Sequence, residues 1–183
     1  MTPPHLPPPP MAALADVRDL AGALRLFDSL PAVTVEEMIG TWRGSEVPTG
    51  HPLDGMLAAS GWWGKRFGGP EDVDPLVMSG GRRGHWNLNP ALVPMGLLAR
   101  HPGIGRVPGA GSALRVLRPV LGTRRPAARL RMTEVRGVVT ATMCYDALPV
   151  HDAFRRLDTS ALLGLMDLRG AAPYVFALER AMG

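Results

Sequence analysis

Tyr145, Asp146, His151, Asp152, Arg155 and Asp158 gather carboxylates, an imidazole and a guanidinium around one turn and the segment that follows it. A histidine beside carboxylates can act as a general base whose tautomer an aspartate holds, which is what proton-transfer or hydrolytic chemistry needs. Asp146, His151 and Asp152 are therefore the catalytic candidates. Strand geometry weighs against the simplest version, because neighbours such as His151 and Asp152 point to opposite faces. The plainer assignment makes Asp146 a turn cap, pairs Asp152 with an arginine and leaves His151 in solvent.

A second set could bind rather than react. Lys65 and Arg66, following Trp62-Trp63-Gly64, suit an acidic head group at a pocket mouth, with Trp42 and Trp63 as its apolar floor. Tyr145 and Arg155 complete the ligand-binding candidates. Met132, Met143 and Met166 offer thioethers that adapt to a flexible guest, although packing is their commoner use. His51, His85, His101 and His151 lack the spacings of metal sites, so no metal is expected. No cofactor is expected either, haem included, since the helical segment after Gly44 and the irregular middle depart from a simple up-and-down barrel. Cys144 reads as inert, and Gly109-Ala110-Gly111 lacks the Lys-Ser/Thr of a phosphate loop.

These residues need a frame. Gly40-Thr41-Trp42-Arg43-Gly44 sets a large aromatic between two glycines, as at the entry of a closed sheet where an indole plugs the space beneath a close backbone crossing. Before it, Leu14, Val17, Ala21, Leu24 and Phe27 recur at helical spacing, predicting an amphipathic helix over 14–30. Thr34 and Glu37 form a capping-box pattern for a short helix that Gly40 stops. A helix over 53–60 and strands at 62–67 and 74–78 follow. Between Arg82 and Pro126 the periodicity fails, with a helix expected over 92–100 and a short strand or helical turn over 114–121; such a stretch is either a lid or a set of missed elements. From Ala127 alternation returns. Arg136-Gly137 makes a hairpin turn, and segments at 138–145, 150–157, 161–168 and 174–179 continue an antiparallel meander. About eight strands result, enough to close a mainly β, antiparallel barrel holding side chains or one small ligand.

With 183 residues, 46% of them hydrophobic and 20% charged, the chain suits one globular domain. Residues 1–13 read as a disordered proline-rich tail and 14–183 as a single domain of two halves, 34–100 and 124–182. No apolar run reaches the roughly 18 residues that cross a bilayer and no secretory signal opens the chain, so a cytoplasmic protein is expected. The net charge of +4 comes almost wholly from arginines scattered among apolar residues. Nucleic acid is not the expected partner; weak binding to an anionic surface is compatible with the charge.

Met38-Ile39-Gly40-Thr41-Trp42-Arg43-Gly44, Thr49-Gly50-His51-Pro52-Leu53, Trp63-Gly64-Lys65-Arg66-Phe67 and Pro75-Leu76 together resemble the GXWXG domain. Arg129-Leu130-Arg131, Arg136-Gly137, Ala141 to Asp146, Pro149, Asp152 to Arg155, Asp158 and Leu163 to Asp167 resemble its usual companion, the domain-of-unknown-function 4334 family. The Gly-Thr-Trp-Arg-Gly block is also similar to the opening of calycin-type barrels, nitrobindin and lipocalins among them. These likenesses imply a calycin-like barrel and no established reaction. The expected function is binding of a small apolar or amphipathic molecule, anionic ones included, in the barrel; the alternative is an enzyme using the same cavity through His151 and Asp146 or Asp152.

Overall fold

The computed structural model describes residues 10–101, 103 and 107–181. The proline-rich tail therefore lies outside the described residues up to Pro9. Helix α1 (Pro10–Ala15) and helix α2 (Leu20–Ser29) replace the single helix expected over 14–30. The break has a local cause: Asp19 is extended, and its carboxylate accepts a 2.7 Å hydrogen bond from the Gly22 amide, capping α2 afresh. Thr34 and Glu37 cap α3 (Val35–Met38) reciprocally, as their spacing predicts.

Eight strands close into an antiparallel barrel: β1 (Gly40–Glu46), β2 (Trp62–Gly69), β3 (Asp72–Ser79), β6 (Ala128–Val135), β7 (Val138–Tyr145), β8 (Val150–Arg156), β9 (Ala161–Leu168) and β10 (Tyr174–Arg180), which returns to β1. Two short strands, β4 (His85–Leu88) and β5 (Gly122–Thr123), lie outside this ring, in the stretch where periodicity fails. Helix α4 (Met56–Ser60) follows β1, while α5 (Met95–Arg100), α6 (Ala110–Val116) and α7 (Arg118–Leu121) fill the stretch between β4 and β5. The segment over 114–121 is thus helical, since Pro119 fits the first turn of α7 and would interrupt a ladder.

Local chemistry explains the closure. Arg136 and Gly137 both have positive φ, 53° and 78°, the backbone that a two-residue hairpin between β6 and β7 requires. The seam between β3 and β6 is short, with Val73 opposite Ala128; beyond it β3 turns from β6 to pair with β4 at Val77–Ser79. The β3–β6 ladder is therefore short, and residues of α5 to α7 help to line a cavity together with Leu76 and Met78 of β3 and Leu88 of β4.

Side chains divide between two apolar clusters. Trp42, Phe67, Val73, Leu130, Met143, Phe154 and Leu178 pack inside the barrel. Outside it, Ala23 and Phe27 of α2 cover Ala153, Leu163, Leu165, Val175 and Ala177. Asp28 of α2 is gripped by Arg136, whose Nε and Nη2 donate to the two carboxylate oxygens at 2.6 and 2.7 Å.

Candidate ligand-binding site

Only one end of the barrel is solid. Trp42 is fully buried there, its Nε1 donating to Met38 O at 2.8 Å, with the Arg180 guanidinium 4.2 Å from its ring on the other side. Toward the other end, the same strands line a cavity of about 360 Å³. Its walls are Trp62, Leu76, Met78, Tyr145, Val150, Met166, Tyr174 and Phe176 from the barrel, closed above by Leu53, Met56 and Leu57 around α4 and by Leu114, Leu117 and Leu121 of the lid helices. Such a volume holds roughly a dozen waters at about 30 Å³ each, but the walls offer them few hydrogen bonds.

The exception is the floor. Lys65 Nζ donates to Asp152 Oδ2 at 2.8 Å and to Pro75 O at 3.2 Å, and both side chains are almost wholly buried, 3% and 1% exposed. The ammonium also lies 5.0 Å from the Phe176 ring, 5.5 Å from Trp62 and 5.7 Å from Tyr145, a semicircle of aromatic faces. Burial pushes the Asp152 carboxyl above its ordinary range even though Lys65 pulls the other way. Burial, reinforced by the Asp152 charge, likewise pushes the Tyr145 phenol up, so its hydroxyl stays protonated. Asp152 Oδ1 and Trp62 Nε1 are buried with no partner among the described residues.

Two glycines shape this region. At Gly64, with φ 159°, a Cβ would stand 2.0 Å from Trp42 O, so only glycine allows β1 and β2 to approach so closely. The β2–β3 register shifts on either side of Gly64, and this bulge lets both Trp62 and Lys65 face inward although they are three positions apart. At Gly44 a Cβ would fall 2.1 Å from the Trp62 ring. The second glycine of the Gly-Thr-Trp-Arg-Gly block thus makes room for Trp62 in the cavity wall.

The mouth is anchored by residues whose roles spacing could not disclose. Asp54 Oδ2 accepts from the amides of Thr49, Gly50 and His51 at 2.9 to 3.0 Å, fixing that turn. Leu53 N donates to His51 Nδ1 at 3.0 Å, which leaves the ring proton on Nε2 to donate to Ala172 O at 3.1 Å. Glu46 Oε1 accepts from Tyr174 OH at 2.6 Å and from Leu57 N at 3.0 Å, tying α4 to the barrel wall.

Of the binding candidates, Lys65 and Tyr145 line the cavity, while Trp42 belongs to the packed end. Trp63 faces outward and stacks on His85, centroids 4.2 Å apart; Arg66, also outward, pairs with Asp72 and Asp74. Both border an open external cleft of about 1470 Å³ that also takes in Arg82, Arg115, Arg118 and Arg124. Arg155 is buried on the outer side of β8, 5.0 Å from the Phe27 ring of α2, with Nη2 donating to Val135 O. Met166 lines the cavity, Met143 is core and Met132 is exposed. The catalytic candidates do not share a pocket. Asp152 lies inside at the floor, His151 is exposed on the opposite face of β8, and Asp146 pairs on the surface with Arg129 at 2.8 Å. Among the described residues no three His, Cys, Asp or Glu side chains converge as metal ligands would.

Two family models match successive parts of the chain. The model of the GXWXG protein family matches residues 25–82, and that of a domain of unknown function (DUF4334) matches residues 126–180. A crystal structure of a protein from Thermomonospora curvata is similar over 94% of both chains, with 30% identity and a TM-score of 0.68. No curated protein matches the chain. The chain belongs to the family in which a GXWXG segment is followed by a DUF4334 domain.

Proposed function

We propose that this protein binds a small, mainly apolar molecule in the cavity at the lidded end of its barrel, with no reaction required. The observation that carries this reading is the cavity itself, a pocket of about 360 Å³ with apolar walls and one polar spot at its floor. Pockets of a few hundred Å³ with few convergent polar groups are the usual form of small-ligand sites. A calycin-like mode of use, with the guest inside the barrel, follows naturally.

The floor sets the chemistry of the guest's head. Lys65 is already neutralised by Asp152, so a carboxylate guest would bring a second anion into a dry site beside Asp152. An alcohol or carbonyl costs no such repulsion. It can exchange hydrogen bonds with the Tyr145 hydroxyl or a remaining ammonium proton, and an alcohol can also donate to the pair. We therefore favour an uncharged polar head on an apolar body over an anionic ligand.

The test uses the uncharged dye Nile red as the reporter, displaced by decanol or decanoate. Decanol should displace it at lower concentration. Leu114→Trp, which fills the cavity from the lid, should abolish dye binding with the melting temperature kept. Dye uptake unchanged in Leu114→Trp would place binding elsewhere, and decanoate competing better would overturn the assignment of the head group. Native mass spectrometry of freshly purified protein adds a direct readout of any retained guest.

A further inference from the structure

Charge is distributed unevenly along this chain. Between Asp74 and Glu134 there is no acidic residue, yet Arg82, Arg83, Arg100, Arg106, Arg115, Arg118, Arg124 and Arg125 fall there, alongside Arg129 and Arg131 of β6. The first eight come from the stretch of sequence that contains α5 to α7 and its flanks. Since the whole chain carries 20 basic and 16 acidic residues, everything outside that segment is net acidic.

The lid arginines also differ in how they are held. Elsewhere Arg66, Arg129, Arg131, Arg136 and Arg156 each pair with a carboxylate. Among the described residues no carboxylate pairs with Arg82, Arg115, Arg118, Arg124 or Arg125. The same segment leaves Leu97, Val107 and above all Val116 and Val120 in solvent away from the cavity, the last two 79% and 73% exposed. Exposed apolar side chains beside cations that no carboxylate neutralises, as Val116 is beside Arg115 and Arg118, mark an interaction face.

We propose that the outer face of the α5–α7 lid docks on an anionic lipid surface. Apolar side chains that enter the headgroup boundary, with arginines beside them for the phosphates, are the composition of an interfacial membrane-binding segment. The alternatives fit less well. A second copy meeting the same face would set cation against cation, and a nucleic acid would leave Val116 and Val120 without a partner. Leu114, Leu117 and Leu121 line the cavity from this same segment, so the docked face is the cover of the binding site. Docking itself does not depend on what the cavity holds.

Co-sedimentation with vesicles tests this directly. The full chain should bind phosphatidylcholine vesicles containing about one third phosphatidylglycerol, release them as salt rises toward about 0.5 M, and leave pure phosphatidylcholine vesicles largely alone. Arg115→Gln and Arg118→Gln should each weaken binding about fivefold. Val116→Asp with Val120→Asp should abolish it, while circular dichroism and Nile red uptake stay as in the wild type. Failure to bind the anionic vesicles, or equal binding to both kinds, would overturn the proposal. So would anionic binding that Val116→Asp/Val120→Asp leaves intact, or tighter binding to a single-stranded RNA, because either would mean recognition of polyanions by charge alone. Loss of Nile red binding with vesicle binding retained would count against the cavity reading and leave this one standing.

Discussion

Lys65 on β2 and Asp152 on β8 meet across the full width of the barrel, each strand four steps from the other in either direction around the ring, with Nζ 2.8 Å from Oδ2. Below the pair lie Trp42, Phe67, Met143 and Phe154; above it lies the cavity. The ion pair is a crossbar that divides a packed half from a hollow one.

Removing either partner strands a charge in the barrel. Lys65→Met or Asp152→Leu alone should cost about 3–5 kcal/mol, whereas the double variant should recover most of that loss, because a buried pair can be replaced by apolar groups at little net cost. Chemical denaturation of the four proteins completes the cycle. Single-variant losses that simply add in the double variant would show that the two side chains are not coupled.

The glycine–tryptophan block should respond in two distinct ways. Trp42→Ala empties the packed end and is expected to destabilise by about 3–5 kcal/mol. Gly44→Val drives a side chain into the Trp62 ring and should reduce Nile red uptake as well as stability. A Gly44→Val protein with wild-type dye binding would mean that Trp62 does not set the cavity wall.

Acid should loosen α2 through Asp28. Its hydrogen bond with Arg136 holds the carboxyl below its ordinary value, so the folded-state pKa lies under the unfolded one of about 3.9. The stabilisation is complete above that unfolded value and is lost as pH falls through the lower folded one. The pair is exposed, so Asp28→Asn should cost only about 0.2–1 kcal/mol at neutral pH. That gap should close below the folded pKa in denaturation curves taken across the acid range. Asp152 acts with the opposite sign: burial raises its pKa, so its contribution to stability declines as pH rises from about 3.9 through the raised value. A difference between wild type and Asp28→Asn that grows on acidification would contradict the assignment.

The meander from β6 to β10 was legible because alternation and turn residues are local signals, as Arg136-Gly137 shows. The plug role of Trp42 was legible for the same reason. Which of Trp62 and Trp63 faces the cavity was not: the bulge at Gly64 reverses the alternation, and the close approach of Trp42 O that reserves this position for glycine comes from another strand. The Lys65–Asp152 pair joins residues from opposite walls and exists only once the ring has closed. The lid eluded periodicity because its helices are short, interrupted by Pro108 and Pro119, and apolar toward both the cavity and the exterior. Its charge polarity is legible as an acid-free stretch from Asp74 to Glu134, but which of its arginines share one cleft, Arg82, Arg115, Arg118 and Arg124, is set only by the fold.

The closure between the first and last strands also carries a kinetic consequence. From β6 to β10 each strand pairs with its immediate successor, so these hairpins require only short loops to close. The β1–β10 ladder instead sets Trp42 opposite Arg180, and Arg180 Nη1 reaches Ile39 O across 141 positions of chain. Bringing such distant segments together carries a larger loop-closure entropy than any of these hairpins, so ring closure is expected to be the slow event in folding. Until then the floor of the binding site does not exist, and Lys65 and Asp152 sit on separate, solvated pieces of sheet.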